Sequence, residues 1–148
     1  MSGVSGAGNA GRNVPTKRLV RAVAVQAAVI TAAIHVLWAW PRLPDAGDVR
    51  PYAFLLGGAF TVIVAVATLR ADEYRRLYAL GAGTLSAFVV GYVGWHGAAT
   101  ASSIATDPLA IVAVSAEVIG LVAFVALYRL APPTSVVVSE RRTGGEGE

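Results

Sequence analysis

The sequence predicts an all-α, polytopic membrane protein. Four transmembrane helices form an up-down-up-down bundle, with both termini cytoplasmic. Three observations predict this. Charge is confined to short stretches: 20 residues between Arg21 and Arg42, 19 between Arg50 and Arg70 and 30 between Arg76 and Asp107 carry no formal charge, and the 21 from Pro108 to Tyr128 carry one, Glu117. Runs of 18 or more apolar residues are long enough to cross a bilayer. The chain is 55% hydrophobic and 14% charged over 148 residues, so a soluble domain could not bury four such blocks behind a polar surface. The basic residues also alternate in position. Ten of the twelve precede the first block, separate the second from the third, or follow the fourth, and only Arg42 and Arg50 lie elsewhere. The positive-inside rule then places both termini in the cytoplasm.

The same observations exclude function classes. A net charge of +3 and a pI near 9.7 would fit nucleic-acid binding if the charge formed a patch, but here it marks topology and draws the protein to anionic headgroups. No nucleic acid is expected as a partner; the lipid bilayer is. The absence of cysteine excludes disulfides, thiolate metal sites and the thiol relay of four-helix quinone-linked oxidoreductases. No phosphate-binding loop or nucleophile–base pairing occurs in any one motif.

Residues 1–16, rich in Gly, Ser, Asn and Ala, read as a disordered cytoplasmic tail. The transmembrane domain spans 17–131. Its first helix, about 17–40, is too long for a cleavable signal and ends in Trp38 and Trp40, which read as interface anchors with Trp95. Pro41 and Pro44 stop it. An outer loop leads to the second helix, about 51–69, with Pro51 in its first turn. A short inner loop makes the second and third helices (about 73–96) an antiparallel hairpin. Residues 97–106 are small and uncharged and read as a second outer loop. Asp107-Pro108 reads as N-cap and first-turn proline of the fourth helix, about 108–130. Residues 132–148 read as a flexible cytoplasmic tail. Small residues mark close helix contacts in membranes, and Gly57, Gly83, Ala87, Gly91 and Gly120 are the predicted packing positions, within the bundle or against a second copy.

Three ionisable side chains lie within or at the edge of the blocks, where such groups usually face the bundle interior. Glu117 sits mid-span with Ala110, Ala113 and Gly120 on its face. It reads either as a proton- or cation-coupling carboxylate or as a structural Glu bonded to Thr31, Thr61, Thr84 or Ser86. His35 shares its face with Ala24, Ala28, Thr31 and Trp38. It reads as a hydrogen-bonded core histidine, a metal or haem ligand, or a relay member. His96, beside Trp95, reads as an interface anchor. The three descend from the outer boundary: His96 at it, His35 ~8 Å below and Glu117 ~14 Å below. If their helices adjoin, they form an outer half-channel. The inner half shows only Gln26 and hydroxyls.

The chain resembles, from about Val20 to Leu130, small four-helix integral membrane proteins of haloarchaea. The resemblance rests on AAIHVLW in the first helix, FLLGGAF in the second, YRRLYALG opening the third, and a fourth helix with a mid-span charge ending in LYRL. It implies an archaeal cell membrane and supplies no assigned activity and no catalytic residues. The function expected first is that of a non-enzymatic structural or accessory subunit, in a homo-oligomer or larger membrane complex. An oligomeric proton-coupled transporter built on Glu117 is the alternative. A haem-b redox subunit using His35 and His96 is the third, although the two differ in depth. No cofactor or metal is otherwise expected.

Overall fold

The four blocks fold into long helices, the third of them broken near its end. A computed structural model describes residues 13–43, 47–71 and 75–131. It contains α1 (Asn13–Ala39), α2 (Arg50–Arg70), α3 (Arg75–His96), α4 (Thr100–Thr106) and α5 (Pro108–Leu130), with 3-10 turns at Trp40–Arg42 and Gly97–Ala99. No strand occurs among the described residues. Four spans, α1, α2, α3 with α4, and α5, are long and apolar enough to cross a membrane. Most of the two expected tails (1–12 and 132–148) and residues 44–46 and 72–74 of the loops lie outside the described residues.

Two local differences from the expectation have simple causes. Residues 13–16, read as tail, already belong to α1, because Pro15 falls in the first turn, where its missing N–H has no intrahelical partner to lose. Residues 97–106, read as loop, are helical. Gly97 takes a positive φ of 53° that favours glycine, which breaks α3, and the small residues after it restart as α4. Asp107 then caps α5 as its type predicts: its Oδ1 accepts the Leu109 backbone N–H at 2.9 Å.

α1 packs extensively on α2 and α5, and α3 on α5, while α2 and α3 meet only sparsely. The order around the bundle is therefore α2–α1–α5–α3, with a loose seam closing the ring. At one end Arg21 donates to the Ala71 carbonyl just beyond α2, and the Arg75 guanidinium lies 4.2 Å from the Tyr128 ring centroid. The other end gathers the ends of α1 and α3 and the starts of α2 and α5, with Trp38, Trp40 and Trp95 around it. We refer to these as the arginine end and the tryptophan end.

Lipid is as apolar as the helices, so close packing must hold them together. The core is accordingly small and dense: Ala24, Ala28, Val64, Ala65, Leu85, Ala123, Phe124 and Leu127 are buried together. Gly120 is the tightest junction. A Cβ there would lie 2.5 Å from Leu85 Cδ1 and 3.0 Å from Ala27 Cβ, so three helices meet at it. Gly81 admits the Phe124 ring, and Gly57 the Phe88 ring. Gly58 brings α2 against the Ala32 carbonyl and His35 Cβ of α1. The hydroxyls of Thr61 and Thr84 return to the Gly57 and Leu80 carbonyls of their own helices, each at 2.8 Å.

The predicted seam on the third helix does not pack within the chain. Gly83 and Gly91 meet nothing within 4 Å, and Ala87 is exposed. A spacing of four marks a face but not which neighbour covers it, and the face that packs on α5 runs through Tyr78, Gly81 and Leu85 instead. Gly83→Val should accordingly change the unfolding free energy by no more than about 0.5 kcal/mol, measured by denaturant titration in mixed micelles. A large loss would show that this face is covered in the assembled protein.

Outside the spans, the Asp48 carboxylate accepts the backbone N–H of Arg50 at 2.9 Å and its Nε at 2.7 Å, and the pair is an ion bridge at 2.6 Å. These bonds from Arg50 hold the Asp48 carboxyl below its ordinary range. A depressed carboxyl contributes stability above its unfolded pKa and loses it as pH falls through its folded pKa. Arg50→Ala should move the Asp48 carbon-13 carboxyl titration part of the way up to that of an ordinary aspartate, because the backbone N–H at position 50 stays. An unmoved midpoint would mean that Arg50 is not the cause.

Candidate functional site

The sparse contact of α2 with α3 leaves a cavity of about 370 Å³ at the tryptophan end. α1 contributes His35 and Trp38, α2 contributes Arg50 and Phe54, α3 contributes Phe88, Tyr92 and His96, and α5 contributes Asp107 and Glu117. The three ionisable residues singled out from the sequence thus line one space. They meet there because α1 and α3 both pack on α5, which puts the inward faces of all three helices around it.

Glu117 forms the deep wall. It is 3% exposed, on the small-residue face of α5 with buried Ala110 and Gly120. The hydroxyls that were expected to bond it do not. Thr61 and Thr84 are bonded within their own helices, and Thr31 Oγ1 is buried without a partner. Among the described residues the Glu117 carboxyl has no hydrogen bond and no ion pair. Gly120 faces Ala27, so one turn further on Glu117 of α5 and Thr31 of α1 stand at a common level.

His35, 5% exposed, has its Nδ1 2.8 Å from the Thr31 carbonyl oxygen. A carbonyl only accepts, so Nδ1 carries the proton and, in the neutral ring, Nε2 presents a lone pair. The ring is held between Phe54 and Phe88, with centroids at 4.9 and 4.4 Å. His96 repeats the arrangement: Nδ1 is 3.0 Å from the Tyr92 carbonyl and the ring lies 4.2 Å from the Tyr92 ring. The Tyr92 and Ser103 hydroxyls bond each other at 2.9 Å, tying α4 to α3.

The two imidazoles are not at one depth. His35 packs on Phe88, and His96 lies eight residues further along α3, about 12 Å by helical rise. Two axial ligands of one iron must flank it at the same level, so the geometry does not favour a haem shared by His35 and His96. No group of three or more His, Cys, Asp or Glu among the described residues is placed to hold a metal ion.

Of the three predicted anchors, Trp40 and Trp95 are about two-thirds exposed, as an interface residue requires. Trp38 is not placed that way. It is half-buried in the cavity wall, stacked on Phe54 at 4.5 Å with the Arg42 guanidinium 4.2 Å from its centroid. It follows His35 by three residues, so the two share a face, and burying one buries the other. Ala87 and Gly91 border the cavity. Sequence reasoning missed Phe54, Phe88 and Arg50. Arg50 stands at the mouth, its guanidinium 5.1 Å from the Trp95 centroid. Its signal was its position one residue before Pro51, which starts α2 at the tryptophan end. Comparison with protein-family models, characterised proteins and solved structures gives no match for this chain.

Proposed function

We propose that the protein is a multi-pass carrier of the cell membrane that binds a small solute in the tryptophan-end cavity and exchanges it for a proton at Glu117. One observation carries this reading: a carboxyl 3% exposed, facing a cavity and without a partner among the described residues. A buried charge must be paired or neutralised. With nothing among the described residues to pair it, Glu117 takes either a proton or a ligand from the cavity. Two mutually exclusive occupants of one carboxylate make an exchanger. The distribution of basic residues supports a tryptophan end that faces outward and termini that are cytoplasmic. The resemblance noted above implies an archaeal membrane. A path to the arginine end requires motion within the bundle or a second copy.

The test is a proton gradient held across proteoliposomes with an entrapped pH dye. Small amines, carboxylates and alcohols are added in turn. At least one class should collapse the gradient faster with the wild type than with Glu117→Gln, which should match protein-free vesicles. If wild type and Glu117→Gln collapse it at the same rate for every class, the exchange reading fails.

A second reading has its own observation. Gly83, Ala87 and Gly91 present an uncovered small-residue face on α3, and such faces pack on other helices. The chain would then be a structural or accessory subunit of an oligomer or a larger membrane complex.

A further inference from the structure

Resting on the exchange reading, we infer that the solute is a protonated organic amine with an aromatic or branched apolar body. The inference comes from which hydrogen-bonding capacities the cavity leaves unused. The Glu117 carboxylate offers only acceptor oxygens. His35 and His96 both spend their Nδ1 protons on backbone carbonyls, so the remaining nitrogen of each neutral ring, Nε2, is an acceptor. Asp107 takes the Leu109 N–H on one oxygen and has the other to spare. The Tyr92 and Ser103 hydroxyls bond each other, which uses one of their two hydrogens and leaves one donor over. The one cationic donor, Arg50, sits at the mouth and is held by Asp48 and by the Trp95 face. Below the mouth the described lining thus holds one carboxylate, more acceptors than donors and no cation, and its complement is a positively charged head bearing N–H donors.

The walls fit the rest of such a molecule. Phe54 and Phe88 flank the His35 ring, and Trp38 stacks on Phe54. Aromatic faces attract cations, most strongly where water is excluded, and they cover an apolar body. An anionic solute would meet Glu117 with like charge. A solute offering only acceptors, such as a diketone, would meet only neutral donors among the described residues below the mouth, the Trp38 indole N–H and the hydroxyl hydrogen left over at Tyr92–Ser103. A cavity of about 370 Å³ holds on the order of a dozen water-sized groups, the scale of a single-ring arylalkylamine.

The test is calorimetric titration of the full chain in lipid nanodiscs with four probes of matched shape. These are phenethylammonium, its trimethylammonium analogue, 2-phenylethanol and 3-phenylpropionate. Phenethylammonium should bind at least tenfold more tightly than the alcohol and the carboxylate. The quaternary analogue, which lacks N–H donors, should be several-fold weaker. Glu117→Gln should weaken phenethylammonium at least tenfold and leave the alcohol unchanged. His35→Phe, which keeps the aromatic wall and removes Nε2, should weaken the primary ammonium more than the quaternary one. Binding of the alcohol or the carboxylate as tight as that of the ammonium overturns the inference. So does an ammonium affinity that is unaffected in both variants, or no ammonium binding at all. The two claims fail separately. Ammonium binding without Glu117-dependent gradient collapse removes the exchange and keeps the ligand class. Collapse driven by a carboxylate or an alcohol keeps the exchange and removes the ligand class.

Discussion

Phe124→Ala is expected to lower the unfolding free energy of the bundle by about 2–3 kcal/mol. Phe124 is fully buried, and its ring occupies the space that Gly81 leaves by having no side chain. A Cβ on Gly81 would lie 2.6 Å from the ring. In water the cost would combine a transfer term and a cavity term. In lipid the separated helices expose Phe124 to acyl chains, so the transfer term largely vanishes and lost packing remains. A residual void of roughly 100 Å³ at ~24 cal/mol per Å³ gives the stated range. Gly81→Ala strikes the same contact from the other side. Gly81→Ala and Phe124→Leu should each be destabilising alone, and the double variant Gly81→Ala/Phe124→Leu should cost much less than their sum, because the smaller side chain vacates the site that the new methyl enters. Denaturant titration followed by circular dichroism reads all four states. Simple additivity would mean that the two residues do not touch.

Gly120→Leu should be at least as damaging, by about 3 kcal/mol. At most glycines on this surface a new side chain has room to turn away. At Gly120 it meets Leu85 of α3 on one side and Ala27 of α1 on the other, and it cannot escape both. The helices must separate where α1 and α3 both rest on α5. Glu117 lies one turn away, so the variant should also lose ligand affinity although no cavity residue has changed. A wild-type unfolding midpoint for Gly120→Leu would contradict the three-helix junction. Gly83→Val is the control, with the same kind of change made on an open face.

The contrast between those two glycines shows what was legible in the sequence. The existence and approximate limits of the four long helices followed from charge-free length, because no polar surface can be hidden in a bilayer. The inward faces of the first and fourth predicted helices followed from small residues around His35 and Glu117. Residues Ala24, Ala28, Ala110 and Gly120 are indeed buried. On the third helix the same rule pointed to Gly83, Ala87 and Gly91, for the bundle or a second copy, and within the chain it is Tyr78, Gly81 and Leu85 that pack. Small size permits close approach without compelling it, and α3 has few neighbours to choose from. The cavity was half legible. Depth along each helix could be counted from the sequence, so a descending series could be drawn. The sparse contact of α2 with α3, which opens the space and brings Phe54 and Phe88 to its walls, depends on the order of helices around the ring, and a single sequence carries no signal for that order. The two tautomers were also hidden. They depend on each imidazole turning back to the carbonyl four residues earlier.

Thr61 and Thr84 spend their hydroxyls on their own backbones, and the core seams are lined by Ala, Gly, Leu and Phe. This has a mechanical consequence. Hydrogen bonds across a seam act as detents: sliding one helix past another must break them before new ones form. Dispersion contacts between small side chains change gradually with displacement, so the energy of a short axial slip rises smoothly and gently. The middle of the α1–α2 seam, at Gly58, is thus suited to low-friction shear, while the interlock at Gly120 and the Arg21 bond to the Ala71 carbonyl fix the two ends of that travel.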